Sequence, residues 1–375
     1  MKDLHSIMSA IQSNPQLAKS AALATLVKVT GSYIRLPGAR MLITSAGTTI
    51  SSVSGGCLEE DLIEKAREII KLGKPALLPF STMRSETPDG EAIRGCGGEV
   101  EILVEPLQKS RFEVLTDCLS RNGRDKGMCA MATIFKVDGK TEARVGDRLI
   151  VRGEKIMSSD VCDKPLAEAI YLDAQAVAES GRSLTKTYTQ NDSEIEVFIE
   201  PLRAPTSVLI VGAGEITMSL AAFTHELGWR TTVVDHRPGM ATREQFPHST
   251  CFTVTAPSDL SAKLSLDEHD AAVILTHICE ADLEYLRTLV ASSVEYIGLL
   301  GSRGRVGGLI GMLSSQEPAL NGEALRRVHG PVGLDLGADD PAGIALSIVA
   351  EIQAVLAGRS ARSLKAGSDR TRSEV

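Results

Sequence analysis

Strand-length apolar runs fill the first two hundred residues, and they recur. Residues 24–43 read ATLVKVTGSYIRLPGARMLI and residues 132–151 read ATIFKVDGKTEARVGDRLIV, aligned without a gap at an offset of 108. Ala24, Thr25, Lys28, Val29, Gly31, Gly38 and Arg40 return as Ala132, Thr133, Lys136, Val137, Gly139, Gly146 and Arg148. The stretches EVEILVEPL (99–107) and EIEVFIEPL (194–202) close the two copies, and CLEEDLIEKAREIIKLG (57–73) and PLAEAIYLDAQAVAES (165–180) carry helical spacing between those ends. Together they predict two copies of one β-β-β-α-β-β unit, at about 21–107 and 129–202, packed side by side over a shared apolar face.

The pattern changes after Arg203-Ala-Pro-Thr. SVLIVGAGEITMSLAAFTHELGWRTTVVDHRP (207–238) reads as strand, glycine turn, helix, strand, the opening of a doubly wound parallel sheet. Further strands are predicted at 250–254, 271–275 and 295–299, and a helix at 341–358, with Pro341 in its first turn and Gly358 at its stop. The expected fold class is α/β. An N-terminal α+β domain (1–203) carries the duplicated β-rich unit, a Rossmann-like domain follows (204–358), and residues 359–375 form a flexible tail.

Composition narrows the functions. Hydrophobic residues at 43% and charged residues at 23% are ordinary for a globular chain of 375 residues. Aromatic residues are only 3%, with a single Trp, which disfavours a base-stacking surface. The net charge of −8 argues against a nucleic-acid partner. No run approaches the roughly 20 apolar residues of a membrane helix, and MKDLHSIMSAIQ mixes charged and apolar residues without a secretory apolar core. A cytoplasmic protein with no membrane contact is therefore expected. The seven cysteines are scattered without a CxxC pair, so neither a disulfide framework nor a zinc knuckle is indicated.

Candidate chemistry concentrates where the copies differ. The first copy has SGGC (54–57) and GCGG (95–98), while the matching stretches of the second read CDKP (162–165) and roughly QNDS (190–193). Packing alone would place these motifs in both halves. Cys57 precedes a helix, whose free amides and dipole favour a thiolate. Gly55, Gly56, Gly97 and Gly98 let a ligand approach the backbone. Cys57 and Cys96 are thus candidate contacts to an anionic or metal-bearing ligand with a soft atom; packing thiols beside tight turns are the bland alternative. Arg35 and Arg40 bracket a loop suited to phosphate, although Arg40 recurs as Arg148 and an ion pair explains it equally well. In the second domain Gly212 and Gly214 match the dinucleotide turn. Thr217 replaces its third glycine, and Glu215 sits where a pyrophosphate would lie. Asp235 ends the next strand, where an acid can take ribose hydroxyls. His277, Ser302 and Arg303 follow strands at the carboxyl edge. Asp335, Asp339 and Asp340 each read as a turn or cap residue when taken alone, and convergence with these residues on one sheet edge raises them as ligand candidates.

The stretches TGSYIRLPGARMLI, SGGCLEEDL, GCGGEVEILVEP, VLIVGAGEI, VVDHRP, LTH, GLLGSRGR and HGPVGLDLGADDPAGIALSIVAEI occur in order across residues 24–352. Together they resemble the XdhC/CoxI family of accessory proteins for molybdenum hydroxylases. Two features depart from that family: Glu215 stands where its turn often has His, and the second repeat lies where a more variable connection is expected. The resemblance implies a chaperone that binds the molybdenum cofactor, as molybdopterin or its dinucleotide form. It would protect the sulfurated form and pass it to an apo molybdenum hydroxylase of the xanthine dehydrogenase type. A cysteine desulfurase is the implied sulfur source, and a homodimer with the cofactor between N- and C-terminal domains is the implied assembly. The competing reading is an NAD(P)-dependent oxidoreductase using the Rossmann-like half with His277 as proton donor, and it leaves both glycine-cysteine turns unexplained. A third is a thiol-dependent transferase or redox sensor using Cys57.

Overall fold

The computed structural model describes residues 2–31, 33–56, 58–81, 85–86, 92–93, 98–119, 128–190, 192–247, 249, 251–317, 322–363 and 365. The chain divides into two compact units, one ending at Ala204 and one running from Pro205 to Ser368.

In the first unit, helix α1 (Lys2–Ser13) leads into β1 (Ala21–Thr30), β2 (Arg40–Thr44), β3 (Thr49–Ile50), α2 (Glu59–Leu72) and β4 (Ala76–Ser81). A short pair, β5 (Ser85–Glu86) and β6 (Ala92–Ile93), precedes β7 (Glu99–Pro106). The second copy repeats the plan: α3 (Lys109–Leu119), β8 (Cys129–Asp138), β9 (Arg148–Arg152), β10 (Lys155–Ser159), α4 (Lys164–Ser180), β11 (Leu184–Gln190) and β12 (Ser193–Leu202). Each copy folds as a five-stranded antiparallel sheet with one strand order, β3-β2-β1-β7-β4 and β10-β9-β8-β12-β11. The leading helices α1 and α3 extend the repeat beyond the boundaries expected from strand patterning.

Alternation along β1 decides which face meets what. Ala22, Ala24 and Leu26 pack under α2 with Leu62, Ala66 and Ile69. Ala21 and Leu23 point the other way, into a cluster with Leu42, Leu107, Cys129, Met131, Ile150 and Leu202, roofed by residues of α1 and α3. The members correspond in pairs: Ala21 with Cys129, Leu23 with Met131, Leu42 with Ile150, Leu107 with Leu202. A second cluster joins Val27 and Leu103 to their counterparts Phe135 and Phe198. One surface thus meets its own copy, as in an isologous dimer, inside a single chain.

In the second unit the elements are β13 (Ser207–Val211), α5 (Glu215–Glu226), β14 (Arg230–Asp235), β15 (Cys251–Val254), α6 (Leu260–Lys263), β16 (Ala271–Ile274), α7 (Cys279–Val290), β17 (Tyr296–Leu299), α8 (Arg303–Gln316), α9 (Gly322–Arg326), β18 (Val328–His329) and α10 (Pro341–Leu356). All neighbouring strands are parallel, in the order β15-β14-β13-β16-β17-β18. This is the doubly wound Rossmann order, whose direction reverses between β13 and β16. Val208 and Ile210 of β13 pack toward α5 and α10, while Leu209 and Val211 pack toward α7 and α8. A strand buried on both faces reads as one continuous apolar run, as SVLIV does. Strand β18, two residues long, is too short for the hydrophobic pattern to announce.

Candidate functional site

In the first unit the candidate loop connects β3 to α2. Ser51 turns the chain at φ 64°, and Gly56 sits at φ +107° with nothing within 4 Å of where a Cβ would be. A Cβ on Gly55 would lie 3.6 Å from Ile34 Cδ1, and Ile34 is itself exposed. Cys57, Cys96 and Gly97 lie outside the described residues; Gly98 is buried just before β7.

Helix α2 begins at Glu59, and its N-terminus is claimed from within. Ser52 Oγ lies 2.6 Å from Glu59 Oε1, Ser54 Oγ donates to Glu59 Oε2, and the Leu58 amide donates to the same carboxylate oxygen at 3.3 Å. The Gly56 amide donates to Ser54 Oγ at 3.1 Å. Burial pushes the Glu59 carboxyl up, but hydrogen bonds from Ser52, Ser54 and backbone amides outweigh it and hold the group below its ordinary range. Glu60 and Asp61 add two more carboxylates in the first turn. An anion at this loop therefore meets the open glycine backbone rather than a bare helix dipole.

The two arginines separate. Arg40 is buried and pairs with Glu200 of the second copy, and its counterpart Arg148 pairs with Glu105 of the first. Of the two readings of Arg40, the geometry selects the ion pair and removes it from the ligand set. Arg35 is half-exposed in the connection between β1 and β2 and pairs with Asp3 of α1.

In the second unit the strand order reverses between β13 and β16, at whose carboxyl ends doubly wound sheets bind their ligands. A Cβ on Gly212 (φ +110°) would lie 2.8 Å from the carbonyl carbon of Leu275, so this turn is pressed against the end of β16. Gly214 is exposed at the N-cap of α5, with nothing near its Cβ position. Thr217 Oγ1 donates to the Gly212 carbonyl at 2.6 Å, so the residue in the third glycine position braces the turn.

Asp235 does not offer its carboxylate to a ribose. It is fully buried, and it accepts from the Ala213 amide at 2.9 Å, the Arg237 amide at 2.8 Å and the Arg237 guanidinium at 2.9 and 2.8 Å. Burial pushes this carboxyl up, but those donors outweigh it and hold it below its usual range.

His277, exposed beyond β16, stands at φ 61°, a backbone region costly for a side-chain-bearing residue. Beneath it runs a relay that no sequence motif announced. Thr276 Oγ1 donates to Asp282 Oδ1 at 2.5 Å, and Arg305 Nη2 donates to Asp282 Oδ2 at 2.6 Å. Burial pushes the Asp282 carboxyl up against the opposing pull of Thr276 and Arg305. Ser302 caps α8 by accepting from the Arg305 amide at 3.3 Å, and Arg303 is exposed beside it. The structure thus gathers Gly212, Gly214, His277, Ser302 and Arg303 at one sheet edge. Asp335 and Asp339 are exposed, and Asp340 caps α10 by accepting from the Gly343 amide at 2.8 Å. Among the described residues no group of three or more His, Cys, Asp and Glu is placed to hold a metal ion.

A self-paired α+β unit followed by a doubly wound sheet defines a two-unit protein whose second unit is a Rossmann domain. The chain belongs to the XdhC and CoxI family: that family's model matches residues 17–81 and 124–189, one stretch in each copy, and the XdhC Rossmann domain matches residues 208–352. The second copy is therefore family sequence rather than a variable connection. A Bacillus subtilis (strain 168) protein, named as a probable xanthine dehydrogenase subunit, is 28% identical over 356 residues, covering 94% of this chain and 97% of the relative. The molybdenum cofactor insertion chaperone PaoD of Escherichia coli (strain K12) is 22% identical over 340 residues, covering 90% and 84%. A crystal structure described as a xanthine dehydrogenase from Bacillus halodurans shares the fold, with a TM-score of 0.72 over 98% of both chains at 24% identity.

Proposed function

We propose that this protein binds the molybdenum cofactor, as molybdopterin or its dinucleotide form, during maturation of an apo molybdenum hydroxylase of the xanthine dehydrogenase type. The carrying observation is that near-full-length relatives are named as a molybdenum cofactor insertion chaperone and as a probable xanthine dehydrogenase subunit. The residues suit a phosphorylated pterin: the backbone at Gly55, Gly56 and Gly214 is open to close approach, and Arg35 in the first unit and His277, Ser302 and Arg303 in the second offer polar side chains near strand ends. Cys57 and Cys96 are assigned the soft contacts to molybdenum or its sulfur. The bound group supplies an oxidation-reduction centre that the hydroxylase uses. This chain's own residues hold it. Protection of the sulfurated form, a cysteine desulfurase as sulfur source, a homodimer and the cytoplasm as its site of action complete the reading, on the strength of the family resemblance.

The test is purification from a host that makes the cofactor, followed by molybdenum and pterin quantification and transfer to an apo-hydroxylase. Stoichiometric molybdenum and pterin, and activation of the hydroxylase, are expected. Cys57→Ala and Cys96→Ala should each lower retention with the fold intact. Absence of both molybdenum and pterin would overturn the reading. With Asp235 engaged by Arg237 and Ala213 and Glu215 exposed at the start of α5, no micromolar affinity for NAD(H) or NADP(H) is expected by calorimetry.

A further inference from the structure

In the second copy two thiols meet. Cys118 lies in the last turn of α3 and Cys129 opens β8; they are 7% and 2% exposed, inside the apolar cluster between the copies. The two thiols act on each other, so that their titrations shift in opposite directions. Cys129 Sγ also lies 3.5 Å from the Cys118 carbonyl oxygen and 3.4 Å from Arg152 Nε. Arg152 is fixed in turn by donating through Nη2 to the Asp117 carbonyl.

The first copy provides an internal control. At the offset of 108, Cys118, Cys129 and Arg152 correspond to Ala10, Ala21 and Thr44. Ala21 is buried in the same cluster, so a methyl group is enough to fill that place. The second copy carries two sulfurs and a guanidinium together where the same fold is built without them.

We infer that Cys118 and Cys129 form a redox-active dithiol that closes to a disulfide when a hydroperoxide reaches it, tying the end of α3 to the start of β8. The Cys129 thiolate attacks a peroxide oxygen and the O–O bond breaks. The leaving oxygen takes up a proton and departs as water or an alcohol, and Cys129 becomes a sulfenic acid. Cys118 sulfur then attacks Cys129 sulfur. The S–S bond forms, the S–O bond breaks, and hydroxide leaves with the Cys118 proton as water. Two thiols lose two electrons and two protons, and the peroxide bond accepts them.

The roles follow from the local charges. The Cys118 thiol and then the Arg152 guanidinium favour the Cys129 thiolate and outweigh burial, so the Cys129 thiol is lowered. The Cys129 thiol in turn, joined by burial, pushes Cys118 up. With the Arg152 guanidinium against its sulfur, Cys129 is the attacking thiol and Cys118 the resolving one.

The full-length protein is treated with hydrogen peroxide, alkylated with N-ethylmaleimide under denaturing conditions, and mapped by peptide mass. The expected result is loss of two of the seven alkylatable thiols, a Cys118–Cys129 peptide lighter by two hydrogens, and full reversal by dithiothreitol. Cys118→Ala places in α3 the residue the first copy carries there; it should fold, lose the link and leave a sulfenic acid that dimedone traps on Cys129. Arg152→Met should slow the reaction. The inference is overturned if Cys118 and Cys129 stay alkylatable after the peroxide is consumed, or if Cys129 links to another cysteine. It is equally overturned if the same link forms as fast in urea-unfolded chain, where the folded contact is gone. The mapping of the parent protein decides these points even if the variant fails to fold.

Discussion

Arg40 and Glu200 form a buried ion pair that joins the two copies of the first unit, with Nη1 donating to Oε2 at 3.0 Å and Nη2 donating to Oε1. Arg148 and Glu105, the counterparts with the copies exchanged, pair at 2.5 Å. The crossed pairs explain why these positions recur. They also explain Gly38, at φ +97°, where a Cβ would lie 3.2 Å from Glu200 Oε2 and whose carbonyl accepts from Arg40 at 3.0 Å. Its counterpart Gly146 adopts φ 93°.

Removing one partner strands the other charge in an apolar interface. Arg40→Met should destabilise the first unit by about 3–5 kcal/mol, while Arg40→Met combined with Glu200→Leu should recover much of that loss. The single tryptophan, Trp229, belongs to the second unit. Hydrogen exchange in β1 and β8 is therefore the measurement that reports on this interface. A double variant as unstable as the single one would show that the pair does more than neutralise buried charge.

Ile150 packs in the cluster between the copies. Ile150→Ala should cost about 2–5 kcal/mol, through lost burial and the cavity left behind. Molybdenum retention at a temperature where the variant is folded should match the parent, because no candidate ligand lies at this position. Lost retention in folded protein would place the second copy in the site.

Gly212 and Gly214 separate structure from function within one turn. Gly212→Ala combines a left-handed φ with a Cβ 2.8 Å from the Leu275 backbone, so it should lower stability by more than the roughly 1–3 kcal/mol of backbone strain alone. Gly214→Ala adds a methyl in open space and should cost at most about 1 kcal/mol as a weakened N-cap. Thermal unfolding followed at Trp229 checks both. A stable Gly214→Ala variant with reduced cofactor retention would mark the turn as a contact surface.

The Asp235 carboxyl is held below its ordinary range in the folded state. A depressed folded value means the group contributes stability above its unfolded value of about 3.9, and the contribution is lost as pH falls through the folded value. Acid titration of Trp229 fluorescence should therefore show the second unit weakening in this window. Asp235→Asn should be less stable at neutral pH and should lose less on acidification. Equal acid sensitivity in the two proteins would mean that Asp235 is not a controlling group.

Much of the fold was legible because periodicity is a local property. The gapless offset of 108 between the copies, the alternation in β1 and β8, and the strand–glycine–helix signature at 207–238 all lie within short windows. The leading helices α1 and α3 were within reach as well: Ile7 and Ile11 return as Leu115 and Leu119 at that same offset. Strand β18 was not, since two residues carry no period.

What each side chain faces was settled only by tertiary structure. The recurrence of Arg40 as Arg148 pointed equally to a ligand and to an ion pair, because its partner Glu200 is 160 residues away. Asp235 stands where a ribose acid is expected, yet Arg237, two residues on, folds back on it, and a fully engaged buried carboxylate has no oxygen left for a sugar. The Thr276–Asp282–Arg305 relay joins the end of a strand to two different helices, a convergence that no single window of sequence contains. The elements and the duplication depend on neighbours along the chain, so short windows of sequence were enough to read them. Burial and pairing of charges depend on distant residues meeting, and only the folded chain decides that.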